Sequence, residues 1–224
     1  MPKTILIVED QQVLREIMKE YLLDEGYRVL EASGGSQALE LFQENEIDLI
    51  ILDIMLPELD GWSVCRRIRK KSNIPILILT SRSDEDDTLL GFELGADDYV
   101  VKPCSPPILL ARTKRLLESR HIRDSGDTLS GGAIMLYLPS RTITLDGKLC
   151  SLTHTEFEIL AYLLNNKGII ISREQLVTRI WGYDFAGDDR TLSSHIRNLR
   201  SKLGDHANRI VTVVRSGYKF EDQP

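Results

Sequence analysis

The chain has 224 residues, 42% of them hydrophobic and 28% charged, with a formal net charge of −6. That length allows two ordinary domains with self-sufficient cores. No apolar run approaches the roughly 18 residues that a membrane span needs, and the opening M-P-K-T-I-L-I-V-E-D lacks the long apolar segment of a signal peptide. The three cysteines, Cys65, Cys104 and Cys150, are odd in number and far apart, which argues against a disulfide framework and for a reducing cytoplasm. Charge is unevenly divided: residues 1–118 carry 22 acidic and 14 basic side chains, net −8, and residues 119–224 carry 12 and 14, net +2. An electrostatic footprint on DNA therefore belongs to the second half.

In chain order, Thr4 to Val8 reads as an apolar strand followed at once by Glu9 and Asp10. Gln11 to Glu25 carries apolar residues at helical spacing and Gly26 ends it. A short strand over 27–32 and a helix over 36–44 follow. Leu49, Ile50, Ile51 and Leu52 then form an apolar run that stops at Asp53. Such a run suits an interior parallel strand covered on both faces. A helix over 62–71, a strand over 75–79 ending at Thr80, a helix over 84–94, a strand over 98–101 ending at Lys102-Pro103 and a helix over 109–117 complete the half. Five strands alternating with five helices predict a doubly wound five-stranded parallel sheet, an α/β domain over 1–118.

The polar residues fall at strand ends. Glu9, Asp10, Asp53, Thr80 and Lys102 should meet at the C-terminal edge of the sheet. Three carboxylates that close repel one another unless a cation joins them, and hard oxygen ligands suit Mg²⁺. An aspartate beside Mg²⁺ is a potential nucleophile toward phosphorus, with Lys102 as a second cation and Thr80 as a hydroxyl donor. Each residue alone also admits a structural role: Glu9-Asp10 as a helix cap, Asp53 as the start of a loop, Lys102 as a solvated lysine. Lys-Pro after a strand restricts the lysine and can accompany a cis bond.

These residues resemble the receiver domain of bacterial two-component response regulators. The matching stretches are V-E-D at 8–10, L-D-I-M-L-P-x-x-D-G at 52–61, T-S at 80–81 and G-A-D-D-Y-V-V-K-P at 95–103. The resemblance implies that Asp53 accepts a phosphoryl group from a sensor histidine kinase. It implies Mg²⁺ held by Glu9, Asp10, Asp53 and the backbone carbonyl of Met55, and a switch formed by Thr80 and Tyr99. It also implies a homodimer face made by the fourth helix, fifth strand and fifth helix, with Asp98 and Arg112 as one ion pair and Glu93 and Lys114 as another. Thr88 and Ile108 stand where opposite charges are usual, Cys104 stands for a phenylalanine, and Gln11 for a third acid.

Residues 119–128, S-R-H-I-R-D-S-G-D-T, read as a linker. Residues 129–224 form the second expected domain. Ile134 to Leu149 reads as short antiparallel strands, Thr153 and Glu156 as a capping box opening a helix, and Ser172 and Gln175 as a second box opening a helix through Ile180. A loop over 181–189 precedes a helix over 190–203, and residues 209–220 read as a hairpin. In the 190–203 helix, Leu192, Ile196, Leu199 and Leu203 form the apolar stripe. Thr191, Ser194, Asn198 and Ser201 lie opposite, with Arg190, His195, Arg197, Arg200 and Lys202 around them and no acid between Arg190 and Lys202. Such a helix suits a major groove, and Arg215 at the hairpin tip suits a minor groove; a solvated basic face is the plainer reading.

This half resembles the winged-helix effector domain of the OmpR/PhoB class. The matches are L-T-x-T-E-F-x-I-L at 152–160, S-R-E-Q-L at 172–176, W-G-Y-D-F at 181–185, R-T-L-S-S-H-I-R-N-L-R-S-K-L at 190–203 and V-R-S-G-Y-K-F at 214–220. The resemblance implies that 190–203 is the DNA recognition helix and that 181–189, with Trp181, Tyr183 and Asp184, touches RNA polymerase. Asn198 and Ser193 depart from a usual basic and a usual acidic residue. The combined expectation is a cytoplasmic, phosphorylation-controlled transcription regulator that binds double-stranded promoter DNA as a dimer and has only self-phosphorylation and self-dephosphorylation chemistry of its own. Two alternatives stay open: a DNA-binding regulator independent of phosphorylation, and a Mg²⁺-dependent aspartyl-phosphate hydrolase.

Overall fold

The computed structural model describes residues 2–81, 91, 94–117, 127–183, 185 and 189–222. The chain divides into two compact units, residues 1–119 and 120–224. The expected helix over 84–94 and the expected linker lie largely outside the described residues, as do Thr88, Glu93 and Asp184.

In the first unit, β1 (Thr4–Val8), β2 (Arg28–Ala32), β3 (Leu49–Asp53), β4 (Ile76–Thr80) and β5 (Asp98–Val101) form a parallel sheet in the order β2-β1-β3-β4-β5. Helices α1 (Gln12–Asp24), α2 (Gly35–Glu44), α3 (Gly61–Arg69) and α4 (Pro106–Leu117) are described around it. The continuous apolar runs follow from burial on both faces. Leu6, Val8, Ile50, Leu52, Ile76 and Ile78 pack with Ala38, Val64, Cys65 and Ile68 of α2 and α3. The alternate residues Ile5, Ile7, Leu49, Ile51, Leu77 and Leu79 pack with Met18 and Leu22 of α1 and with Leu109 and Leu116 of α4. The period of two along each strand thus feeds two separate cores.

Helix α4 starts at Pro106, three residues before its apolar pattern begins. Proline is tolerated in a first turn, where its missing N–H has no intrahelical partner to lose. Helix α3 starts under Asp60, whose carboxylate accepts from the Ser63 N–H at 2.9 Å and from the Ser63 hydroxyl at 2.8 Å. Gly61 is required there: a Cβ would lie 2.2 Å from the carbonyl oxygen of Asp53. The missing side chain lets the helix start pass directly beneath the end of β3.

In the second unit, β6 (Thr128–Gly131), β7 (Ile134–Tyr137), β8 (Thr142–Leu145) and β9 (Lys148–Cys150) form an antiparallel sheet in sequential order. Strand β6 carries Leu129 as its one buried large side chain and so gives no clear local pattern; pairing with β7 makes it a strand. Thr128, placed in the linker by its polarity, is its first residue. Helix α5 (His154–Asn165), β10 (Ile171–Ser172), α6 (Arg173–Trp181), α7 (Asp189–Leu203), a 3-10 segment over Gly204–Arg209, β11 (Ile210–Val213) and β12 (Gly217–Phe220) follow. Both capping boxes are present, at Thr153/Glu156 and at Ser172/Gln175. A second sheet has the order β10-β12-β11. Gly217, at φ +149, lets β12 approach β10; a Cβ would sit 2.0 Å from the Ile171 carbonyl.

Candidate functional site

Sheet register brings the acidic residues together. Val8 of β1 lies opposite Leu52 of β3, so the next residues, Glu9 and Asp53, emerge side by side. Asp10 completes a set in which one carboxylate oxygen from each residue lies within 4.8 Å of the others. Glu9 and Asp53 are buried, whereas Asp10 is exposed and opens the cluster to solvent. Thr80, at the end of β4, is buried and lies opposite Val101 in the register; the Lys102 N–H donates to its carbonyl at 2.7 Å. The Lys102–Pro103 bond is cis. The Lys102 Nζ donates to Glu9 Oε2 and to Asp53 Oδ2, each at 2.5 Å.

Burial pushes the Glu9 carboxyl above its ordinary value, and the Lys102 ammonium only partly offsets this. For Lys102, burial opposes the charge, but the hydrogen bonds to Asp53 and Glu9 outweigh it and the net shift is upward. The second Asp53 oxygen accepts from the Met55 N–H at 2.9 Å. Three hard carboxylates at one partly solvated edge fit a small divalent cation. Tyr99 on β5 is half-buried against the core lined by α2 and α3. Sequence reading missed one neighbour, Arg15 on α1, whose Nη1 donates to the backbone carbonyl of Glu9 at 2.6 Å.

In the second unit, Leu192, Ile196, Leu199 and Leu203 of α7 are buried as their spacing predicts. Arg190 and Arg197 are exposed and Asn198 is half-buried. Arg215 is exposed at the β11–β12 turn with φ 61, next to Val214 at 80% exposure. Thr191, Ser194 and His195 do not offer the expected solvent-facing surface, for all three are buried. The His195 ring lies 5.4 Å from that of Trp181 at 38°, so its surface is used in packing. Thr191 shares a side of the helix with His195 at i, i+4. Ser194 has a short side chain, and helix geometry sets Arg190, Arg197 and Asn198 around it. Arg200 and Lys202 are engaged inside the unit. Arg200 donates to the Ile210 carbonyl and to Thr212 Oγ1, the latter at 2.8 Å, while Lys202 donates to the buried Glu156 at 2.6 Å. No local pattern marked Arg173, which donates to Ser193 Oγ at 3.0 Å and stacks over the Tyr218 ring at 5.1 Å.

Residues 5–114 match the response regulator receiver domain family, and residues 147–220 match the family described as transcriptional regulatory protein, C terminal. Response regulator DrrB of Thermotoga maritima, an OmpR/PhoB homologue, is 34% identical over 99% of this chain and 100% of its own, with a TM-score of 0.54. The chain belongs to the OmpR/PhoB class of response regulators. A RitR mutant is 27% identical over 97% of this chain and 98% of its own, with a TM-score of 0.76. Chemotaxis response regulator CheY4 of Vibrio cholerae matches the receiver half, at 32% identity over 52% of this chain and all of its own, with a TM-score of 0.50.

As an OmpR/PhoB-class response regulator, the protein couples a receiver to a winged-helix DNA-binding domain and acts as a transcription factor. The residues expected at the dimer face and in the polymerase loop take the following places. Asp98 is fully buried, and within its own chain it accepts from Arg112 Nη1 at 2.9 Å and from Arg115 Nη2 at 2.7 Å. Within the chain it anchors β5 to α4. Lys114 pairs at 2.6 Å with Glu25, the residue that follows α1, and Glu93, expected as its partner, lies outside the described residues. Trp181, expected in a polymerase-contacting loop, is buried and stacks on Phe185 at 5.0 Å, whereas Tyr183 is 93% exposed. Among the described residues no helix is long and apolar enough to cross a membrane.

Proposed function

We propose that this regulator is charged at Asp53 by a sensor histidine kinase and then binds promoter DNA as a dimer. The observation that carries the reading is the Lys102 ammonium held between Asp53 and Glu9, with Asp10 beside them. Phosphoryl transfer leaves a protein little covalent work beyond the nucleophile, so positioning and charge neutralisation dominate. An Asp53 oxygen attacks phosphorus, the donor P–N bond breaks, and the electron pair stays on the imidazole, which takes up a proton. Lys102 follows the negative charge as it spreads onto the phosphoryl oxygens, and the Thr80 hydroxyl donates to one of them. Glu9, Asp10, Asp53 and the Met55 carbonyl would hold Mg²⁺, which when bound neutralises charge on the transferred group.

A phosphoryl group adds close to two negative charges and strong acceptors at Asp53, and Thr80 and Tyr99 are the side chains placed to respond. The chemistry of this protein is confined to gaining and losing that group; it is a cytoplasmic regulator and not a metabolic enzyme. For DNA, the exposed Arg190 and Arg197, the half-buried Asn198 and the hairpin-tip Arg215 support groove and phosphate contacts. Tyr183 supports an RNA polymerase contact by its exposure. The test is a small phosphodonor with Mg²⁺ followed by intact mass. The wild type should gain one phosphoryl group and Asp53→Asn none. An unchanged wild-type mass under conditions that label a control receiver would overturn the reading.

A further inference from the structure

Arg15 ties the acidic pair to the rest of the receiver. Its Nη1 donates to the Glu9 carbonyl at 2.6 Å and to the Asp10 carbonyl at 3.3 Å. Its side chain is 15% exposed, and its Nε lies 3.4 Å from Glu31 Oε2 on β2. The other oxygen of Glu31 is held by Lys19 Nζ at 2.5 Å. Glu31 lies opposite Ile7 in the β1–β2 register, so this carboxylate is fixed to the strand that leads into Glu9. The start of α1 has no side-chain cap from Gln11. The guanidinium, locked from behind by Glu31, therefore grips two consecutive carbonyls at the point where the chain leaves the sheet.

We infer that Arg15 is a positioning residue for divalent-cation binding by Glu9 and Asp10. The inference rests on the reading of this acidic cluster as a Mg²⁺ site. Gripping both carbonyls fixes the two peptide planes, and those planes set the direction in which each carboxylate leaves the backbone. Ligands ordered in advance lose less freedom when the ion arrives. Groups that orient metal ligands from outside the coordination sphere typically change affinity by about 10- to 100-fold. Glu31 has a second part: it neutralises the guanidinium, which would otherwise set an unbalanced positive charge beside a cation site. The competing role is a plain brace for the start of α1, which would affect stability alone.

Calorimetric titration of the full chain with Mg²⁺ separates the two. Arg15→Ala should raise the Mg²⁺ Kd by about tenfold or more. The Mg²⁺ concentration for half-maximal phosphoryl uptake should rise with it, while the plateau at saturating Mg²⁺ changes less. Arg15→Lys keeps the charge and one donor and should recover part of the affinity. Glu31→Gln, which leaves the grip but removes the counter-charge, should also weaken Mg²⁺ binding, more so at low salt. If Arg15→Ala, or Arg15→Lys should the alanine variant not fold, lowers the melting temperature and leaves the Mg²⁺ Kd unchanged, Arg15 is only a brace and the inference fails. If the wild type itself shows no Mg²⁺ binding, the metal reading of the cluster fails first, and the positioning role falls with it.

Discussion

Asp98 and Arg112 meet within a single chain, at 2.9 Å and away from solvent, and Arg115 reaches the same carboxylate oxygen at 2.7 Å. The other oxygen accepts from the Tyr99 N–H at 2.9 Å. The carboxylate thus links β5 to α4 through two guanidinium groups. Removing it takes a shared carboxylate from two nearly buried guanidinium groups. Asp98→Ala should destabilise the receiver by about 3–5 kcal/mol, the usual cost of breaking a buried pair from one side. Arg112→Ala should cost less, since Arg115 remains on the same oxygen. Chemical denaturation of the full chain measures both, and equal losses would show that Arg115 is no substitute.

Asp60 provides a pH-dependent cap. Burial works to raise its pKa, but the hydrogen bonds from the Ser63 N–H and hydroxyl outweigh it, and the net shift is downward from 3.8. A carboxyl lowered on folding contributes stability that is complete above its unfolded pKa and is lost as pH falls through the folded one. Asp60→Ala should cost about 1 kcal/mol near neutrality. The difference from wild type should shrink as pH drops below 3.8. Asp60→Asn keeps a capping oxygen and should show little loss near neutrality and no such acid dependence. Melting temperatures of the three proteins across the acid range give the comparison.

Lys102 makes the opposite alkaline prediction. Its pKa is raised from 10.5, because hydrogen bonds to Asp53 and Glu9 exceed the effect of burial. A base raised on folding stabilises fully below its unfolded pKa, and that contribution disappears as pH rises through the folded value. Lys102→Met should therefore be less stable than wild type near neutrality, and the gap should close above pH 10.5. The same substitution should slow phosphoryl uptake by Asp53, read by intact mass over time. Unaltered uptake would remove Lys102 from the proposed transfer.

On α7, exposure separates DNA contacts from packing. Arg197→Ala should weaken binding evenly across sequences and reduce the slope of log affinity against log salt by about 0.9 for one lost phosphate contact. Asn198→Ala should instead relax base preference. His195→Ala removes a ring packed near Trp181 and should cost about 1–3 kcal/mol of stability. Salt-dependent DNA titrations and thermal melts distinguish the three. A full salt slope in Arg197→Ala would place that guanidinium away from the backbone.

The alternation of strands and helices was legible along the chain, because apolar periods and glycine or proline punctuation are local. So was the shared edge of Glu9, Asp10, Asp53, Thr80 and Lys102, because parallel strands linked by crossover helices put all their C-terminal ends together. The pairings came from the folded arrangement. Lys102 joins Glu9 and Asp53 across 93 and 49 residues of chain, and no short-range pattern selects those partners. Arg15 reaches the Glu9 and Asp10 carbonyls while its Nε faces Glu31 on a neighbouring strand, a junction of three chain segments that no local pattern marks. On α7, helical period located the centre of the buried stripe at Leu192, Ile196 and Leu199. The width of the buried arc, which takes in Thr191 and His195, depends on what packs beside it. Asp98 shows the same limit: that Arg112 and Arg115 of its own chain both reach its carboxylate follows from the packing of α4 on β5, which no local pattern gives.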